Sequence, residues 1–253
     1  MPAHRLASFF ERGGGTSVRR WIHRVLKGLP GPGLRWDRRV VFFASLGVLM
    51  GTVFDAFHVW TGTAWYANTL VLPFFRVAWY VPLEFTAAGI VVGMARPELD
   101  EELQRERSGL SLRSVLLGLG CFAFAWGGSG AATPLCWDAA GVARCTSHPN
   151  AVILALLAVF AAGTWLAFDR TLEGVLVALF TAGIGVGVEA SLVKLTDTYR
   201  YTHPDFWGVP MWLPPLYLIA CGAIGNLGRF LKYPTVRRPE PAPDRSAPLS
   251  DTA

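Results

Sequence analysis

Residues 151–168 read AVILALLAVFAAGTWLAF, eighteen positions without a charged side chain. At about 1.5 Å of rise per residue, a helix of that length covers most of a hydrocarbon core of roughly 30 Å. A helix that is apolar on every face belongs in a large core or in lipid. Working outward, five more segments have the same character: 40–59 (VVFFASLGVLMGTVFDAFHV), 72–95, 112–128, 172–193 and 212–231. The expectation is an all-α, polytopic membrane protein built as a six-transmembrane-helix bundle. Composition agrees, with 52% hydrophobic and 16% charged residues and a mean hydropathy of +0.37. A soluble domain carries about 25% charged residues, so an ordinary soluble fold is excluded. The net charge of +5 sits beside apolar segments, where it orients a membrane protein rather than binding nucleic acid.

Lys and Arg are divided unequally between the two sets of connections. The tail before 40–59, the connection from the second to the third span with Arg113, Arg170 and the C-terminal end hold nineteen, and the opposite side holds four: Arg76, Arg144, Lys194 and Arg200. By the positive-inside rule both termini are cytoplasmic and the number of spans is even. The first span is too long for a secretory signal core, and Arg38-Arg39 is a poor match to a twin-arginine signal, so it reads as a retained helix.

The chain divides into a basic tail, 1–39, a membrane domain, 40–232, and a Pro-, Asp- and Arg-rich tail, 233–253, read as disordered. Within the first tail Trp21, Ile22, Val25, Leu26 and Leu29 recur at helical spacing. Both a surface amphipathic helix and a disordered basic tail fit that pattern. PELDEELQRER, 97–107, reads as a solvated, helix-prone linker. Gly47 and Gly51, Gly89 and Gly93, and Gly183 and Gly187 are spaced four apart inside spans, which suits close helix packing in lipid. Asn226 is placed for an interhelical hydrogen bond. Cys136 and Cys145 share one connection on the side where disulfides persist, and a bridge is expected. No Cys/His pattern suggests a metal, and no motif calls for a cofactor.

Charged groups at membrane depth are costly and usually face a protein-lined cavity. Asp55 and His58 lie at i and i+3 in the first span, Glu84 follows Pro82, and Glu189 lies in the fifth span. Topology places all four in the outer half of the bilayer, beneath His203 and Asp205. They form either one outward-opening cavity for the head of an amphipathic ligand or a set of locally paired groups. A membrane enzyme acting on a lipid or isoprenoid, with Asp55, His58 and Glu84 as acid–base groups, is the alternative. A small ion-coupled transporter is a third reading, disfavoured because no inverted repeat is visible. Asp169 stands alone at the cytoplasmic face, as a cap of the turn into the fifth span or as a docking residue for another membrane protein.

Three motifs, AWYVPLEFTAAGIVVGMARP (78–97), TWLAFDRTLEGVLVALF (164–180) and YTHPDFWGVPMWLPPLYLIACGAIGNLGRF (201–230), resemble the Insig family in order and spacing. The likeness covers roughly 38–232. It implies a compact six-helix bundle with a lipid-accessible central cavity, and, with no nucleophile motif and no second His in a span, a non-enzymatic lipid-binding protein is the first expectation. Animal members bind oxysterol together with the escort protein Scap and recruit ubiquitin ligases to HMG-CoA reductase. Bacterial relatives hold a diacylglycerol-like lipid and form trimers. The family's partner-binding aspartate matches Asp169. Where animal members carry Asn, Gln, Cys and Ile, this chain has Asp55, His58, Glu84 and Glu189, which favours a more polar ligand head than a sterol's. The short tails and Ala/Gly/Arg-rich composition look bacterial. The resemblance therefore implies the bacterial cytoplasmic membrane, or the endoplasmic reticulum in a eukaryotic host.

Overall fold

The computed structural model describes residues 37–67, 69–72, 75–102 and 110–233. The expectations for the two tails fall outside these residues, apart from 37–39 and Tyr233. In order, the elements are α1 (Arg38–Trp60), β1 (Ala64–Tyr66), β2 (Thr69–Leu72), β3 (Phe75–Ala78), α2 (Val81–Glu102), α3 (Leu112–Cys136), α4 (Pro149–Phe168), α5 (Leu172–Leu195), β4 (Tyr199–Tyr201) and α6 (Leu213–Lys232). The six expected spans are thus six helices. Four of them, α1, α3, α4 and α5, are long and apolar enough by themselves to cross a membrane. The other two carry charge near one end, where Arg96, Glu98 and Asp100 of α2 and Arg229 of α6 are buried.

Local chemistry sets the helix ends. Asp37 caps α1 by accepting from the Arg39 amide at 2.9 Å. Ser111 caps α3 through the Ser114 amide at 3.1 Å, and Thr171 caps α5 through the Gly174 amide at 3.0 Å. Proline opens α4 and α6, where a missing N–H costs nothing.

The third helix runs to Cys136, past the expected end at 128, and both boundaries of the second helix differ from the sequence expectation. The second helix starts at Val81 rather than at 72, because 69–78 form an antiparallel hairpin, with Thr69 opposite Ala78 and Leu72 opposite Phe75. Glu84 is therefore in the first turn of α2, where the helix dipole favours a carboxylate. The same helix runs on through Pro97 to Glu102, so the first half of the expected linker is helix. Pro97 cannot donate to the Gly93 carbonyl, and Gly228 of α6 packs directly against that carbonyl.

Helix α6 is the centre of the bundle and packs on α2, α3, α4 and α5. Its Leu213, Leu216, Ile219 and Ala223 join Phe122, Trp126, Ile153, Leu157 and Val186 in the main core. Helices α1 and α2 approach through four glycines. A side chain at Gly47 would strike the Phe85 carbonyl, one at Gly51 the Phe85 ring, one at Gly89 the Phe43 carbonyl and one at Gly93 the Phe43 ring. Gly183 and Gly187 behave otherwise: among the described residues nothing lies within 4 Å of where their side chains would be. The buried face of α5 is Ala178, Ala182, Val186 and Ala190, which leaves those two glycines on its open flank. Close packing at that pair is not met within the chain.

Candidate functional site

One end of the bundle gathers carboxylates and tyrosines. Asp55, 5% exposed near the end of α1, accepts from the Tyr66 hydroxyl of β1. Strand β1 pairs with β4, which sets Ala64 opposite Tyr201 and Tyr66 opposite Tyr199. Alternation in β4 turns Tyr199 and Tyr201 inward and Arg200 outward over Trp65, 4.3 Å from its ring. Both inward hydroxyls donate to Oε2 of Glu189, at 2.6 and 3.0 Å. Tyr217 of α6 donates to Oε1 at 2.6 Å. Tyr66 stacks on Tyr199 with centroids 4.7 Å apart. Burial holds the phenols of Tyr66, Tyr199 and Tyr201 well above their ordinary pKa, so each remains a donor.

Asp55, Glu84 and Glu189 lie within electrostatic reach of one another. No cation among the described residues forms an ion pair with any of them. Glu84 is half-buried, and its carboxylate makes no hydrogen bond to the described residues. His58 is not part of this group. It is 2% exposed, with Nε2 3.2 Å from the Trp126 carbonyl and 3.1 Å from Ser129 Oγ, and its ring stacks on Trp126. The i, i+3 spacing put Asp55 and His58 on one face, but that face is wide enough for one to meet β1 and the other α3. An open groove of about 490 Å³ lies elsewhere, on the outer flank of α5 beside Gly187 and Ser191.

The opposite end also buries charge. The Asp169 side chain is 8% exposed and accepts from Arg96 Nη2 at 3.0 Å and from Thr171 Oγ1 at 2.6 Å, with Arg229 at 3.8 Å. Arg229 pairs with Asp100 at 2.7 Å, and Lys232 with Glu98 at 2.6 Å and Glu101 at 3.0 Å. This network ties the α4–α5 turn to α2 and α6. Gly174 is part of the fit, since any side chain there would occupy the place of the Asp169 carboxylate. Asn226 Nδ2 donates to the Phe168 carbonyl at 3.2 Å, and Trp165 Nε1 to the Thr171 carbonyl at 3.0 Å. Arg170, exposed and at φ 55°, turns the chain between the helices.

Sequence reasoning found the acids and missed their partners. Arg96 and Arg229, which the charge distribution marks as cytoplasmic, are both buried ion partners. The YRY alternation at 199–201 carried the signal for two inward tyrosines, but nothing local says what they hold. Cys136 and Cys145 are joined, with Cα atoms 4.9 Å apart. Among the described residues no three His, Cys, Asp or Glu side chains are grouped to hold a metal.

These features define a polytopic helical membrane protein with a buried polar cluster at each end. No family model matches the chain. It is 27% identical to the insulin-induced gene 1 protein of Bos taurus, over 94% of this chain and 78% of that protein. It is 29% identical to the insulin-induced gene 1 protein of Danio rerio, over 77% and 72%. Its fold matches the crystal structure of MvINS, a mycobacterial Insig homologue from Mycobacterium vanbaalenii. There the TM-score is 0.64, the identity 24%, and the shares covered are 79% of this chain and 97% of that one. A cross-linked trimer of MvINS superposes equally well, at 0.64 and 23% identity. The chain is a relative of the insulin-induced gene (Insig) proteins.

Proposed function

We propose that this protein is a non-enzymatic lipid-binding membrane protein. It holds a diacylglycerol-like, sterol-like or isoprenoid lipid in the bundle, with the polar head at the Asp55, Glu84 and Glu189 cluster. The observation that carries this reading is the cluster itself: three carboxylates and four tyrosine hydroxyls in an apolar bundle, with no paired cation among the described residues and with Glu84 half open. Such a group suits hydrogen bonding to a neutral, hydroxyl-bearing head. His58 is engaged with α3, so the acid–base set needed by the enzyme alternative is not assembled, and binding is the better fit.

At the other end we propose that Asp169 serves a sensor or adaptor role by fixing the α4–α5 turn against α2 and α6. A membrane partner would then meet the exposed turn rather than the carboxylate. Both termini are assigned to the cytoplasm from the Lys/Arg distribution, and the host membrane to a bacterial cytoplasmic membrane. The trimer known for MvINS supports a homotrimer here, with Gly183 and Gly187 as the glycines open to a second copy.

Native mass spectrometry and lipidomics of the purified protein test the first claim. A single co-purifying lipid class that survives detergent exchange is expected, and it should be lost in Glu84→Leu with Glu189→Leu. Recovery of only bulk phospholipid that exchanges freely would remove the proposal.

A further inference from the structure

The segment that carries the tyrosines is fastened from outside by a covalent clasp. Cys136 is the last residue of α3, and its partner Cys145 lies nine residues on. Between them runs a small exposed hairpin. The Asp138 amide donates to the Val142 carbonyl at 3.0 Å, and the Arg144 amide to the Cys136 carbonyl at 2.8 Å. The Asp138 carboxylate takes the Ala140 and Val142 amides at 2.9 and 2.8 Å. All of these bonds stay within the hairpin.

What ties the hairpin to the body is Trp137, next to the bridged Cys136. Its ring lies flat on His203, with centroids 4.3 Å apart and planes 8° from parallel. His203 follows Tyr201 by two residues, and Tyr201 holds Glu189. The His203 carbonyl accepts from Asn150 Nδ2 at 2.9 Å, and the same amide nitrogen reaches Asp205 at 2.8 Å. Asn150 Oδ1 accepts from Trp212 Nε1 at 3.1 Å, at the start of α6. A continuous set of contacts therefore runs from the disulfide to the strand over Glu189.

We propose that the Cys136–Cys145 bond is a redox-sensitive strap. Oxidised, it holds Trp137 on His203 and keeps 199–212 closed over Glu189. Reduced, it frees the hairpin, Trp137 leaves the stack, and that cover loosens. The reductant is a dithiol. One of its thiolates attacks a cysteine sulfur and releases the other cysteine. Its second thiol then closes on the mixed disulfide and releases the first. The bridge gains two electrons and two protons, and the dithiol is oxidised to its own disulfide. This concerns the cover and not its cargo, so it stands or falls apart from the lipid reading.

Hydrogen-exchange mass spectrometry on the full chain, folded in lipid nanodiscs, tests it before and after treatment with dithiothreitol. Alkylation confirms that two further thiols are freed beyond Cys121 and Cys221. Exchange should rise about tenfold or more in both 137–147 and 199–209, with α4 and α5 unchanged. A rise confined to 137–147, or none in either segment once both thiols are alkylated, overturns the proposal. Trp137→Ala with the bridge intact should raise exchange in 199–209 alone, and no rise there would show that the strap does not act through the stack.

Discussion

The two ends of this bundle bury carboxylates in opposite ways. Around Asp169, four acids meet cations: Arg96, Arg229 and Lys232 answer Asp169, Asp100, Glu98 and Glu101. Around Glu189, the acids meet only neutral phenols, from Tyr66, Tyr199, Tyr201 and Tyr217. Opposite charges at contact distance form a fastener that resists opening, because separating them leaves a buried charge alone. Phenols around a carboxylate form a softer site, whose hydrogen bonds can be shared with another polar group. One end is built to stay shut and the other is suited to receive a ligand head.

The contrast is open to direct tests. Removing a partner from the fastener should cost most. Asp169→Ala takes from Arg96 its nearest carboxylate and leaves it Asp100, 3.7 Å away, so it should destabilise the fold by about 3 kcal/mol, read by thermal unfolding in detergent. If Glu189→Gln costs as much, the two ends do not differ as described. Tyr217→Phe removes one hydrogen bond to a carboxylate and should cost about 1.5–3 kcal/mol, with Glu189→Gln smaller because an amide still accepts and donates.

Glycine substitutions come next and sharpen the comparison of faces. Gly228→Ala pushes a methyl into the Gly93 carbonyl and should cost about 1–3 kcal/mol. Gly183→Ala meets nothing within the chain and should be neutral or slightly stabilising in the monomer, as helix propensity favours alanine. Any loss from Gly183→Ala should appear in the oligomer, measured by cross-linking, and not in unfolding of the single chain.

The smallest expected effect is that of pH on the cover. Partial burial holds His203 below its ordinary value of 6.5, so the folded state prefers the neutral ring. That preference is fully present above 6.5 and is lost as the pH falls toward and through the folded value. Exchange in 203–209 should therefore quicken modestly between pH 7 and pH 5 after correction for intrinsic rates, and His203→Gln should flatten the dependence.

Six helices, their order and the polar residues within them were legible from the sequence, because a membrane span needs a long apolar run and any charge in it stands out. Residues 40–59 and 151–168 correspond closely to α1 and α4 for that reason. The start of α2 was not legible, since 69–80 is as apolar as a span and only strand pairing reveals the hairpin. The glycine pairs show the limit well. All three have the same spacing, yet two are consumed between α1 and α2 and one faces outward, a distinction set by which side of α5 meets α6.

What the sequence determined by itself is the membrane character and the inventory of buried ionisable groups, because hydrophobic run length and charge placement are local properties. Partnership was decided only in three dimensions. Asp55 and His58 parted company, Asp169 found Arg96 seventy-three residues away, and Glu189 was enclosed by tyrosines from β4 and α6. A buried charge is tolerable only beside the group that satisfies it, and that group is brought there by helix packing, which spacing along the chain does not encode.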